Sequence, residues 1–364
     1  MRGGLLFTLV VLFGHCFSEE ASSFRGSRVI RATPANPAQL KFSENLRENN
    51  DVKAYPDLAK LLQENGIVFT ILIPDVQTLI DNENPPLARS ERAGFSYNRY
   101  NRLQPIVEEM KRLVKQYSNI TTLVEEFGTS YEGRKIYAVK ILTKYQTDSS
   151  VKAMVDKMDW VIMPVFNVDG YEYTFNWNRM WRKTRSPNRG SLCIGTDPNR
   201  NWNFKWAGAG ASSNPCSEIY HGSRPFSEVE VRNVASYLYR NRRNLIGYMD
   251  IHAYSQLWMT PWGYERAYPK DYAELKRTSD AAVTALSRLY GTSYDVGPTS
   301  IIIYENSGST VDWAYGALGV RYAFALELRD KGRYGFMLPA NQIAPTGKET
   351  FAAIKAMAKE LKLN

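Results

Sequence analysis

Residues 245–256, LIGYMDIHAYSQ, open as an apolar run and close around a histidine. A buried strand of an α/β sheet reads this way when it carries a polar group to its C-terminal end. Ligand sites of open α/β sheets lie just beyond such strand ends. His252 is therefore a site candidate, and the bland alternative is a hydrogen-bonded core histidine. The neighbouring segments repeat the logic. Residues 159–165 (DWVIMPV) and 321–328 read as further buried strands, and residues 120–127 and 135–142 as strands around the turn at Tyr131-Glu132-Gly133. Residues 100–117, 150–157, 227–240, 271–290 and 346–361 read as helices. The first places Leu103, Ile106, Val107, Met110, Leu113, Val114 and Tyr117 on one face. Ser227/Glu230 and Thr346/Glu349 have the spacing of capping boxes. Helices alternating with buried strands predict an α/β fold: a mixed, mainly parallel twisted sheet with helices on both faces.

Residues 19–92 read as a small separate α+β module. Asn36-Pro37 starts a helix through Leu46, residues 57–64 form a second helix, and residues 67–74 form a strand before a helical turn at 76–81. Residues 82–93 (NENPPLARSERA) carry two prolines and read as an exposed linker, with Arg89 and Arg92 open to tryptic-type cleavage. Residues 1–18 read as a secretory signal, with Arg2 at its start and an apolar run over 5–13. That run is short of the about 20 apolar residues a bilayer span requires. The expected product is soluble, secreted and extracellular. Cys16 leaves with the signal, so Cys193 and Cys216 remain as a pair in an oxidising compartment and are expected to be bonded. A loop of that size stabilises the fold by about 3 kcal/mol in the chain-entropy model. Asn119-Ile120-Thr121 is a glycosylation sequon consistent with export. The formal charge is +9, but 46 basic and 37 acidic residues interleave along the chain. Without a nucleic-acid motif this charge reads as solvated surface, and no nucleic-acid partner is expected.

Four segments carry chemistry. Residues 178–189 (NRMWRKTRSPNR) are densely basic and include Arg182; residues 196–202 (TDPNRNW) set Arg200 between Asn199 and Asn201. Guanidinium forks and amides suit a carboxylate, although a solvated basic loop would look the same. Residues 300–312 (SIIIYENSGSTVD) read as a strand leading into a Gly/Ser loop, with Tyr304 at the turn. Glu327 lies inside the apolar run 322–328, where a carboxylate is costly unless paired, metal-bound or functional.

Taken together, residues 178–186, 196–202, 251–256, 307–312 and 326–336 (LELRDKGRYGF) resemble the pancreatic-type zinc metallocarboxypeptidases of the A subtype. The resemblance runs from about Arg28 to the last helix. It implies a zymogen that hydrolyses C-terminal apolar or aromatic residues from peptides. This family is itself a standard example of a His₂Glu catalytic zinc site. By resemblance His252 is the later histidine ligand, Glu327 the general base, and Arg182 the oxyanion stabiliser. Asn199, Arg200 and Tyr304 hold the substrate's terminal carboxylate, and Val311 lines the apolar side-chain pocket. The implied cofactor is Zn²⁺, and the implied partners are peptide and protein C-termini. Residues 19–92 become the activation propeptide, released by a trypsin-like protease near Arg89 or Arg92. Residues 93–364 become the catalytic domain, expected to be monomeric.

One part of the family pattern is missing. The other two zinc ligands come from a His-x-x-Glu motif. The chain has three histidines: His15, His221 (followed by Gly222-Ser223-Arg224) and His252 (followed by Ala253-Tyr254-Ser255). None has a Glu three residues on. Leu142 runs through Thr143–Thr147 into the next helix, so a strand-plus-helix unit of roughly 30 residues is absent relative to the family. The propeptide is also short between Leu46 and Tyr55. Zinc binding is therefore expected to be weak or lost, and the chain inactive or severely impaired. The alternatives are a catalytically dead relative that still binds peptide C-termini, or a nonfunctional splice form or gene-model fragment.

Overall fold

Three sheets organise the chain in its computed structural model, which describes residues 7–10, 22–48, 58–84, 94–141 and 149–362. The first joins two strands of the 19–92 module to a strand inside the stretch read as a signal. Strands β1 (Phe7–Val10), β2 (Val29–Thr33) and β3 (Val68–Ile73) pair antiparallel in that order. Helices α1 (Pro37–Glu48), α2 (Leu58–Glu64) and α3 (Val76–Asp81) complete it. Asn36 caps α1 as expected: its Oδ1 accepts from Gln39 N at 2.9 Å, while Gln39 Oε1 accepts from Ala35 N. Leu58 and Leu62 of α2 bury against Ile30, Ala32 and Ile67. The sequence pattern does not reveal β2, because a central strand buried at Val29, Ile30 and Ala32 lacks clean alternation. The cleavage points Arg89 and Arg92, the propeptide residues 49–57 and the junction at 142–148 lie outside the described residues.

A second cluster fastens this module to the rest of the chain. Phe24, Val29, Ile73 and Val76 enclose Met337, with Met180 beside them. Glu83 forms a bidentate ion pair with Arg179, Ala340 N donates to Glu83 O at 3.1 Å, and Arg31 Nη2 donates to Lys331 O at 3.0 Å.

The larger part begins with α4 (Leu103–Gln116), whose apolar face packs beside β4 (Thr121–Val124). Strands β4, β5 (Ala138–Ile141) and β6 (Trp160–Ile162) form an antiparallel sheet in that order, with α5 (Ser149–Lys157) between the last two. Helix α6 (Val168–Asn176), unread in the sequence, is capped by Asn167, whose Oδ1 accepts from Gly170 N at 3.1 Å. Helix α7 (Val229–Asn241) precedes β7 (Gly247–Ala253) and β8 (Leu257–Thr260). Helix α8 (Tyr272–Tyr290) stops at Gly291, which adopts the left-handed φ of 70° that favours glycine. Then come β9 (Asp295–Pro298), α9 (Thr299–Ile302), α10 (Thr310–Gly316), β10 (Tyr322–Leu328) and α11 (Ile343–Glu360).

The expected mixed, mainly parallel sheet is the order β7-β10-β8-β9: β7/β10 and β8/β9 run parallel, and β10/β8 antiparallel. Consecutive residues of a strand face opposite sides. Tyr322, Ala323, Phe324, Ala325 and Leu326 are all buried, so both faces of β10 are covered. Leu275, Ala282 and Leu286 of α8 join Ala353 and Met357 of α11 in that core.

Three local expectations need correction. The isoleucine run after Ser300 is not a strand. Pro298 ends β9 and the chain turns into α9, where Ser300 Oγ bonds to Trp262 O at 2.7 Å. Ser227 and Glu230 form no capping box: Glu228 is the N-cap of α7, and Glu230 accepts from Tyr131 N at 2.9 Å. Nor do Thr346 and Glu349. Helix α11 starts three residues earlier, with Pro345 in the first turn, where proline is tolerated. Glu349 instead pairs with Arg329.

The two larger sheets are separate. Each of β6 and β7 is paired on one side only among the described strands. Val161, Ile162 and Ile251 on these edges are 42%, 48% and 49% exposed. No helix of the described residues is long and apolar enough to cross a membrane.

Candidate active site

Two neighbouring parallel strands deliver the first pair of polar groups. The β7/β10 register sets Glu327 directly beside His252 at the C-terminal end of the sheet. Burial pushes the Glu327 carboxyl up to about 7, against the pull of His252 and Arg182. Its Oε2 is buried without a hydrogen-bond partner among the described residues. His252 Nε2 lies 2.8 Å from Asp250 Oδ2 and 3.3 Å from Asn199 Nδ2. Asp250 stands two residues earlier on the same strand, so it shares the face of His252. Sequence reasoning passed over Asp250, although an acid two residues before a strand-end histidine was a usable signal.

Burial alone would lower the His252 pKa, but the Asp250 carboxylate, helped by Glu327, raises it to about 9. The sign follows. The protonated pair contributes stability that is fully present below the unfolded value of 6.5 and is lost as pH rises through about 9. An NMR titration of His252 in the metal-free chain is expected to show this raised value. A midpoint near 6.5 would mean the pair does not form in solution.

The anion-binding candidates converge from the segments around residues 182 and 200. Asp197 is fully buried and takes Arg182 Nε at 3.0 Å and Arg182 Nη2 at 2.9 Å. Arg200 Nη1 lies 3.8 Å from the same carboxylate. The Arg200 guanidinium is buried, donating from Nε to Gly210 O at 2.7 Å and from Nη1 to Asn199 O at 2.9 Å. Asn199 Oδ1 accepts from Thr310 N at 2.9 Å, which ties this segment to the start of α10. Gly308 permits that approach: at φ 71° a Cβ there would sit 2.4 Å from Arg200 O. Tyr304 lies close enough to Arg182 for the two to interact electrostatically. Arg182, Asn199, Arg200, His252 and Glu327 thus form one group. Val311 stands apart, buried in the core with Leu257, Ala314 and Tyr315. Its neighbour Asp312 accepts from Gly263 N and Tyr264 N, and burial raises its carboxyl to about 7.

The remaining candidates have structural partners. Cys193 and Cys216 are bonded, as expected for the pair. His221 Nδ1 lies 2.7 Å from Gly222 O, and its ring packs edge-on to Trp206. A His₂Glu zinc set does not fit the residues present. One histidine reaches the site, its Nε2 is engaged by Asp250, and among the described residues no three His, Cys, Asp or Glu side chains are grouped to hold a metal ion.

Comparison with known proteins places this arrangement. The zinc carboxypeptidase family matches residues 138–353, and the carboxypeptidase activation peptide matches residues 51–83. Mouse carboxypeptidase A2 is 35% identical over 412 residues, covering 97% of this chain and 98% of the relative. Human carboxypeptidase A1 is 38% identical over 415 residues, covering 97% of each. Among solved structures, bovine thrombin-activatable fibrinolysis inhibitor in complex with tick carboxypeptidase inhibitor is 37% identical, with a TM-score of 0.68 over 72% of this chain and 97% of that one. A structure of thrombin-activatable fibrinolysis inhibitor is 31% identical, with a TM-score of 0.78 over 93% and 98%.

Proposed function

The chain belongs to the zinc carboxypeptidase family, and from that premise we propose that it is a secreted, propeptide-bearing member that recognises peptide C-termini without hydrolysing the terminal bond. One observation carries the reading: His252 stands at the strand end with Asp250 on its Nε2 and no second histidine beside it among the described residues. Two others support it. The match to the mouse relative spans 412 positions but takes in 97% of the 364 residues, so about sixty positions of that span have no counterpart here. The half-exposed apolar edges of β6 and β7 are also what a sheet looks like where a strand between them is gone.

In this reading bound zinc would supply a Lewis acid and an activated water, and the described residues offer no ligand set to hold it. What remains is recognition. Arg182, Asn199 and Arg200, with Tyr304 near them, present guanidinium and amide donors to a carboxylate. Asp197 fixes the two arginines from behind. A trypsin-like protease cutting near Arg89 or Arg92 would free residues 93–364 from the module held by Glu83 and Arg31.

The test compares one blocked peptide ending in Phe as the free acid and as the amide, titrated calorimetrically into trypsin-treated chain that runs as a monomer. The free acid is expected to bind at least about tenfold tighter, a difference of about 1.4 kcal/mol. Equal affinities would remove the recognition claim, and chelator-sensitive release of Phe would remove the claim of lost hydrolysis.

A further inference from the structure

One sequence motif has no part in the site. Asn119-Ile120-Thr121 is the single Asn-x-Ser/Thr tripeptide in the 364 residues, and its middle residue is not proline. The fold puts it on the turn between α4 and β4. Ile120 N and Thr121 N both donate to Tyr117 O at 2.9 Å, and Thr121 Oγ1 donates to the same carbonyl at 2.9 Å. The turn points its residues in alternate directions: Ile120 is buried, whereas Asn119 is exposed. The Asn119 side chain makes no hydrogen bond to any described residue, so replacing an amide hydrogen breaks nothing in the folded chain.

We propose that Asn119 carries an N-linked glycan. The donor class is a lipid-diphosphate-linked oligosaccharide. A bond forms between Asn119 Nδ2 and the sugar's anomeric carbon, the carbon–oxygen bond to the diphosphate breaks, and the lipid diphosphate leaves with that electron pair. The displaced amide proton passes to a base of the transferring enzyme. The position suits a bulky, solubilising group. It lies at the start of β4, the outer strand of the antiparallel sheet, beside an edge that no described strand pairs. The candidate site is on the other sheet, at β7 and β10, and the N-terminal module docks on Trp177, Arg179, Lys331 and Ala340. A glycan at Asn119 leaves both free.

The inference rests on entry of the chain into the secretory route, and the test carries its own control for that. The full chain is made in cultured eukaryotic cells and treated with a peptide N-glycanase, an amidase that hydrolyses the bond between the asparagine side chain and the whole glycan. One downward mobility step is expected, together with conversion of Asn119 to Asp in the released peptide. Asn119→Gln and Thr121→Ala are expected to abolish the step, and Thr121→Ser to keep it. Glycan transfer acts on the nascent chain, so a variant that fails to fold still gives the readout. A second arm replaces residues 1–18 with a secretory signal of proven function. No step in that arm, or a step that persists in Asn119→Gln, overturns the proposal.

Discussion

After dialysis against metal-free buffer, the full chain is expected to retain under about a tenth of an equivalent of zinc, since a catalytic site needs three protein ligands. After trypsin treatment it is expected to release no C-terminal Phe or Leu above the uncatalysed background. The argument is one of donors and of proton affinity. Losing only an outer partner of a metal ligand already weakens binding roughly 10- to 100-fold. Among the described residues two ligands have no candidate, and one nitrogen of the remaining imidazole is engaged by Asp250 at 2.8 Å. Glu327, raised to about 7, is then the base left to act without a metal. Free water has a pKa of about 15.7, so the proton transfer runs uphill by about nine units, or about 12 kcal/mol. No hydrogen bond from Arg182 closes a gap of that size. The converse experiment makes the claim specific. Inserting a strand-plus-helix segment of roughly 30 residues that carries a His-x-x-Glu motif between Ile141 and Ser149 is expected to raise zinc content to about one equivalent and restore chelator-sensitive release. About one equivalent of zinc in the ungrafted chain would overturn the reading.

How far the sequence foretold this site depends on what kind of signal each residue left. His252 and Glu327 were legible because each is a polar group at the end of an apolar run, where desolvation makes an idle polar side chain expensive. The parallel register then places them side by side. Arg182, Asn199 and Arg200 were visible only as a basic, amide-rich stretch that could equally have been surface. What turns that stretch into a site is Asp197, buried under both arginines, and nothing in its local pattern marks it as buried. Asp250 was missed for a related reason: its partner is set by strand periodicity, while the reading attended to the apolar run. The errors in secondary structure also have causes. Three consecutive isoleucines favour a strand, but Pro298 ends the ladder before them. Thr346 and Glu349 matched a capping spacing, yet Glu349 is drawn to Arg329 and Thr292 across the fold. A local proline decided the first case and tertiary partners the second.

Asp197→Ala is expected to destabilise the folded chain by about 3–5 kcal/mol, the range for removing one partner of a buried ion pair. The loss comes less from the hydrogen bonds than from what they neutralise. Arg200 is buried, with its guanidinium 3.8 Å from the Asp197 carboxylate, and without that carboxylate it is a charge held in a low-dielectric interior. Arg182 is 37% exposed on its side chain and can be rehydrated, so Arg182→Ala should cost clearly less than Asp197→Ala. Replacing both Asp197 and Arg200 by apolar residues should recover part of the loss, because no unpaired charge remains. The pH dependence has a definite sign. Burial by itself would raise the Asp197 pKa, but Arg182, Arg200 and the Asn199 N–H outweigh it and hold it below the usual carboxylate value of 3.8. A depressed folded pKa contributes stability that is present above the unfolded value and is lost as pH falls through the folded one. The Asp197 contribution therefore persists at neutral pH and fails only in acid, whereas the His252–Asp250 pair fails in base. Urea midpoints of the three variants between pH 3 and pH 9 test this, and a change within about 1 kcal/mol for Asp197→Ala would refute it. The same substitution should also erase the preference for a free C-terminal carboxylate. Arg182 and Arg200 keep their charges in that variant but lose the group that aims them, so the loss would show that orientation, rather than positive potential alone, reads the substrate's end.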